Sequence, residues 1–224
     1  GKPLVKITGK SGSGKSALVE KLRDSLPDNF SVLQIDDQVG SVTDLLEEIA
    51  AKIGFADVAG AKSQQELMSR IKKELSRKVK KGKRVVVAID DAQEMYPATL
   101  EGVTRLLTDG YGEGEEMARV VLLGTPDMES KLVPTITEYF EDETNCQLTL
   151  EPLNVKDTAD YLRFSLQLAS GGDGVAYMSI FPYETIQTIH QRSEGNIAAI
   201  NRLAGAALHN AHSGGVSVVT PHML

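Results

Sequence analysis

Eight consecutive residues, Gly9-Lys10-Ser11-Gly12-Ser13-Gly14-Lys15-Ser16, constrain this chain more than any other stretch. They follow an apolar run, Leu4 to Thr8, that reads as a β-strand, and they open a segment from Ser16 to Leu26 with Leu18, Val19 and Leu22 at helical spacing. A glycine-rich loop between a strand and a helix is a phosphate cradle. The glycines at 9, 12 and 14 let the backbone curl so that successive N–H groups face phosphate oxygens, and the helix adds the positive end of its dipole. Lys15 then reaches the β- and γ-phosphates, and the Ser16 hydroxyl completes a magnesium site. The candidate nucleotide contacts are Gly9, Ser11, Gly12, Ser13, Gly14, Lys15, Ser16 and Ala17, with Mg2+ as the accompanying ion.

A second stretch supplies the acid such a site needs. Arg84-Val85-Val86-Val87-Ala88-Ile89 is the strongest strand signal in the chain and ends at Asp90-Asp91. An uninterrupted apolar run of this kind suits a central parallel strand covered on both faces. Asp90 is the candidate magnesium residue, a Walker B acid, and Asp91 the acid that orients an attacking water.

The rest of the chain supports a two-part organisation. Strand signals at Phe30–Ile35, Val120–Leu123 and Gln147–Leu150 alternate with helical stripes at Thr43–Ile53, about Gln64–Lys80 and Leu100–Leu107. From Val155 to His212 only helical stripes remain. The pattern predicts an α/β P-loop NTPase core over 1–153, a parallel sheet flanked by helices, and a small all-helical lid over 154–224. The single cysteine, Cys146, cannot form an internal disulfide, and four scattered histidines lack metal-ligand spacing, which points to a reducing, cytosolic setting. No apolar run is long enough to span a bilayer. Gly1 to Val5 lead directly into the strand pattern, so the expectation is that no signal peptide is present.

Ile89-Asp90-Asp91-Ala92-Gln93 resembles the I-D-E-A-Q element of AAA+ ATPases of the ExeA/GspA type, which assist bacterial type II secretion. The likeness continues in Val121-Leu122-Leu123-Gly124-Thr125-Pro126, similar to that family's strand ending in G-Q-P, and in Leu150-Glu151-Pro152-Leu153 with Tyr161-Leu162. It closes with Ser193-Glu194-Gly195-Asn196-Ile197-Ala198-Ala199-Ile200-Asn201-Arg202-Leu203, similar to S-x-G-x-P-R-x-I-N-R-L. The resemblance implies ATP rather than GTP, and the lack of an N-K-x-D guanine-reading motif agrees. It also implies self-association through AAA+ neighbours, an envelope-machine partner protein and a location that is cytoplasmic or on the cytoplasmic side of an inner-membrane anchor. The family's usual segment ahead of the loop is missing, as expected of a fragment excised from a longer protein.

Four departures bear on catalysis. The family's glutamate is Asp91 here, shorter by one methylene. Thr125 stands where the family carries Gln, and keeps a hydroxyl with less reach. The lid arginine aligns with Ala198, and Arg202, one turn further along the same helix, is the candidate replacement. Between Val120 and Leu162 the basic residues are Lys131 and Lys156 alone, so no arginine is available to reach a neighbour. With Lys15, Asp91 and Thr125 as the catalytic candidates and Arg202 as a nucleotide contact, the expectation is tight MgATP binding with slow hydrolysis.

Charge leaves two alternatives open. The net charge of −7 disfavours nucleic-acid binding across the whole surface. Yet Arg70 to Arg84 holds nine basic residues against the single acid Glu74. That stretch reads as a solvated amphipathic helix face, or as a contact for nucleic acid or an anionic membrane surface. A DNA-directed AAA+ ATPase of the transposition-helper kind is therefore one alternative. A non-hydrolysing, nucleotide-dependent interaction module is the other. The acidic segment Asp109–Glu116 and the pair Asp36-Asp37 are further candidates for surface contacts or proximity to the site.

Overall fold

The structure, a computed structural model, describes residues 4–35, 41–55, 61, 63–108, 118–132, 134, 136, 137, 146–171 and 180–224. Asp36-Asp37 and Asp109–Glu116 lie outside the described residues.

Five strands, β1 (Leu4–Gly9), β2 (Phe30–Ile35), β3 (Arg84–Ile89), β4 (Arg119–Gly124) and β5 (Cys146–Leu150), form one parallel sheet in the order β2-β3-β4-β1-β5. The helices between them are α1 (Lys15–Ser25), α2 (Val42–Lys52), α3 (Gln64–Lys80) and α4 (Pro97–Thr108). The apolar run of β3 has a simple cause. Val85, Val87 and Ile89 enter one core with Leu4, Leu45, Ile49, Ile71, Leu100 and Leu122, whereas Val86 and Ala88 enter a second with Ile7, Val19, Val121 and Leu123. Side chains alternate between faces along a strand, so a sheet covered on both sides needs apolar residues at every position.

Helix starts follow their caps. Ser41 accepts from the Asp44 N–H and Ser63 from the Glu66 N–H, both at 3.2 Å, satisfying donors that have no partner inside the helix. Arg84 pairs with Phe30 and Ile89 with Ile35, while Leu4 pairs with Val120 and Thr8 with Gly124. This register brings the carboxyl ends of β1, β3 and β4 to the same edge of the sheet. Gly9, Asp90 and Thr125 each stand at or just beyond one of those ends.

The chain divides into two compact units. One comprises Gly1–Gly9 with Lys15–Leu150, and the other Lys10–Gly14 with Glu151–Leu224. The second contains α5 (Val155–Ala169), α6 (Tyr183–Ser193) and α7 (Ile197–Ser213), packed through Leu162, Phe181, Ile186, Ile189, Ile200, Ala204 and Ala207. Asn154 caps α5 through the Asp157 N–H and Asn196 caps α7 through the Ala199 N–H. Between α6 and α7 the backbone turns at Gly195, whose φ is 72° and where a Cβ would stand 2.0 Å from the Leu153 carbonyl oxygen. Only glycine fits there, because the Leu153 N–H also bonds the Gly195 carbonyl at 2.9 Å.

Candidate functional site

In the sheet-containing unit, the start of α1 and the end of β3 meet. Lys15, the first residue of α1, is 6% exposed, and its ammonium donates to the Gly9 carbonyl at 2.9 Å. Ser16 donates its hydroxyl to Asp90 Oδ2 at 2.6 Å. Gln34, near the end of β2, donates to the same oxygen at 3.4 Å, and the Asp91 backbone N–H donates to Asp90 Oδ1 at 3.0 Å. Asp90 is thus a buried carboxylate with donors on both oxygens, and its own N–H is tied to the Ile35 carbonyl. Burying a carboxylate is costly unless donors surround it, and here a hydroxyl, an amide and a backbone N–H do so.

The pairing of Ser16 with Asp90 suits a small, hard cation. Magnesium takes oxygen ligands, keeps several waters and is held by one or two protein groups plus substrate phosphates. One hydroxyl and one carboxylate within hydrogen-bond distance make such a donor set. Among the described residues no group of three or more His, Cys, Asp or Glu side chains converges, so the site does not resemble an all-protein metal cage.

Asp91 is handled differently. Its backbone is left-handed, with φ 44° and ψ 43°, a conformation that aspartate tolerates better than most residues. Its Oδ1 accepts from Gln93 Nε2 at 2.9 Å, and Gln93 Oε1 accepts the Thr125 backbone N–H at 3.0 Å. The Thr125 hydroxyl is buried without a hydrogen-bond partner among the described residues. The structure therefore gathers Lys15, Ser16, Asp90, Asp91 and Thr125 at the carboxyl edge of the sheet. It adds Gln34 and Gln93, which sequence reasoning left without a role. Gln93 stood in the quoted Asp-Asp-Ala-Gln run, but its partner lies 32 residues further along the chain.

In the helical unit, the loop Lys10–Gly14 is tightly wound. Its Ser13 N–H donates to the Lys10 carbonyl at 3.1 Å, and Gly12 and Gly14 have φ of 76° and 95°. Asn196 Nδ2 donates to the Ser11 carbonyl at 2.7 Å and the Ala198 N–H to the Gly12 carbonyl at 3.0 Å. A Cβ on Gly12 would stand 2.7 Å from the Ala198 Cβ. The residue aligned with the family's lid arginine thus meets the loop through its backbone, at a distance that leaves little space. Arg202 is exposed on α7, and the loop bonds are made by Asn196 and Ala198 rather than by it. The Ser13 hydroxyl is buried without a partner among the described residues. The His190 ring, on the α6 stripe, shares a 3.1 Å hydrogen bond with the Thr158 hydroxyl.

Comparison with known proteins speaks for the family and the fold. The family described as an AAA domain matches residues 1–132. General secretion pathway protein A of Aeromonas hydrophila is 30% identical over 207 residues, covering 92% of this chain and 36% of that protein. Among solved structures, Cdc6p of Pyrobaculum aerophilum superposes with a TM-score of 0.78 at 18% identity, over 100% of this chain and 59% of that one. The Holliday junction branch migration motor RuvB of Thermotoga maritima gives 0.63 at 14% identity, over 99% and 59%. At such identities the two structures speak for the fold alone, a P-loop NTPase sheet flanked by helices. The chain spans little more than a third of general secretion pathway protein A. With the family matching more than half of its residues, the chain belongs to the AAA domain family, and its resemblance to general secretion pathway protein A runs over most of its length.

Proposed function

We propose that this chain binds MgATP at the carboxyl edge of its sheet and hydrolyses it slowly, and that the nucleotide state switches the assembly of a bacterial cell-envelope machine. The observation that carries the first part is the Ser16–Asp90 pair at 2.6 Å, the donor set a magnesium ion requires. The envelope role draws on the likeness to general secretion pathway protein A and on the motifs shared with the ExeA/GspA type. On this reading the domain works on the cytoplasmic side of the membrane and associates with further copies of itself.

The residues divide the work. The N–H groups of Gly12, Ser13, Gly14, Lys15, Ser16 and Ala17 receive the phosphates, and the Lys15 ammonium exchanges its bond to the Gly9 carbonyl for phosphate oxygens. Ser16 and Asp90 would hold the magnesium, which would supply neutralisation of phosphate charge there. Asp91 accepts a hydrogen bond from the water that attacks the γ-phosphorus, and the Thr125 hydroxyl, buried and without a partner among the described residues, donates toward a phosphoryl oxygen. No arginine stands at Ala198 and none lies between Val120 and Leu162 to reach a neighbour; a missing arginine finger costs on the order of 10³–10⁵ in turnover in related enzymes. Binding without turnover, a nucleotide-dependent interaction module, is the second reading, and the shorter acid Asp91, Ala198 in place of the lid arginine and the missing neighbour-reaching arginine favour it.

Steady-state ATP hydrolysis across a protein concentration series, beside Lys15→Ala and with MgATP binding measured separately, tests the proposal. The expected result is binding with turnover below about 1 s⁻¹, abolished by Lys15→Ala. Turnover that climbs with concentration to values well above that would mean that neighbours complete the site, and slow switching would be wrong. Binding with no turnover at any concentration would leave the interaction module.

A further inference from the structure

Gln93 lies in the single 3-10 turn, Ala92–Glu94, that follows Asp91. Its amide faces two partners of opposite kind: Nε2 donates to the Asp91 carboxylate, and Oε1 accepts from the backbone N–H of Thr125. An ionised carboxylate only accepts and a backbone N–H only donates. One orientation of the amide satisfies both, and the flipped orientation satisfies neither.

Two backbone features accommodate the bridge. The left-handed conformation of Asp91 folds the chain back, so that a side chain two positions on reaches its carboxylate. Gly124, just before Thr125, leaves the volume the amide occupies: a Cβ there would stand 2.7 Å from Gln93 Oε1 and 2.9 Å from Met128 Sδ. Gln93 Oε1 ends a flexible side chain whereas Met128 is fully buried, so an added Cβ would displace the amide first.

We infer that Gln93 is a positioning residue whose amide ties the Asp91 carboxylate to the backbone at the carboxyl end of β4, so that the acid and the Thr125 turn move as one. The bond to Gln93 occupies Oδ1 and leaves Oδ2 as the oxygen that accepts from a water. It also restricts a carboxylate that is one methylene shorter than the family's glutamate. Small misplacements of a catalytic group cost about a hundredfold in rate, so an amide that fixes the rotamer of this acid has a large lever on turnover. The inference rests on the proposed role of Asp91 in orienting water.

Three variants separate the parts. Gln93→Leu removes both bonds. Gln93→Glu keeps an acceptor for Thr125 but loses the donor to Asp91. Gly124→Ala displaces an otherwise intact amide. Turnover is expected to fall about tenfold or more in all three while the MgATP dissociation constant stays within about twofold, a split between catalysis and binding that general unfolding would not give.

A second readout needs no turnover. Hydrogen exchange at the Thr125 amide should quicken about tenfold in Asp91→Ala, because Gln93 loses its anchor, and the same substitution should add nothing in a Gln93→Leu background. Unchanged turnover in all three variants, or an Asp91→Ala effect on the Thr125 amide that is the same with and without Gln93, would overturn the bridge. If the wild-type chain hydrolyses nothing, the ATPase reading fails, and the exchange measurement alone decides the bridge.

Discussion

Asp90 and Asp91 are neighbours in sequence but belong to two differently built halves of the site. Asp90 is buried, extends a regular strand and takes donors from α1, β2 and the next backbone N–H. Asp91 is half-exposed, sits on a left-handed turn and takes one hydrogen bond from a flexible glutamine. The first half is assembled by secondary structure. The second depends on side-chain amide geometry and can be reset by a single group. The proposed function gives binding to the first half and the timing of hydrolysis to the second.

The largest effects should fall on the two carboxylates. Asp90→Asn is expected to lower turnover by at least about a hundredfold and to remove the magnesium dependence of nucleotide binding. Asp91→Asn should cost a similar factor in turnover but leave MgATP affinity within about twofold, measured by calorimetry beside steady-state rates. If both variants lost binding equally, the division into halves would be wrong.

Ser16→Ala tests the first half more gently. Removing one ligand hydroxyl should weaken MgATP by about tenfold and leave magnesium-free ATP binding almost unchanged. Thr125→Val is smaller again. It replaces a buried hydroxyl that has no partner among the described residues, so unfolding stability should rise by about 1 kcal/mol while turnover drops severalfold. Denaturant unfolding and initial rates on the same preparation would sharpen the comparison, because a purely structural Thr125 would change only the former.

The smallest effect lies outside both halves, on the basic face of α3. Arg77 makes two hydrogen bonds to Glu74, and the first of these effects, with charge attraction added, holds the Glu74 carboxyl below its usual value of 4.5. A carboxyl whose folded value is lowered contributes stability above the unfolded value and loses it as pH falls through the folded one. Arg77→Ala should therefore lower the melting temperature by about 1 °C at neutral pH and by less at strongly acidic pH, with no change in nucleotide affinity. A change in affinity would tie the basic face to the site.

The legible parts of this molecule share a cause. The phosphate loop, the β3 run and the capped helices each write their geometry into local residues: glycines for a curled backbone, apolar side chains on both faces, Ser41 and Ser63 one position ahead of a helix. The expected helix over Thr43–Ile53 is Val42–Lys52, and the expected Gln64–Lys80 helix has those ends. Strand order was not legible, because no local signal states that β4 lies between β3 and β1. The Gln93 bridge joins a side chain to a backbone N–H 32 positions away. The contact of Ala198 with Gly12 is made by a backbone N–H that any residue but proline carries. In neither case does residue type mark the backbone partner, so only the folded arrangement reveals the pairing.

The account stands most directly on calorimetric titration of the wild-type chain and Asp90→Asn with ATP, each with magnesium and with a chelator. It predicts one nucleotide per chain, bound at least about tenfold more tightly with magnesium in the wild type and equally with and without it in the variant. Wild-type affinity indifferent to magnesium, or magnesium dependence surviving in Asp90→Asn, would contradict the assignment of Ser16 and Asp90 as the magnesium pair.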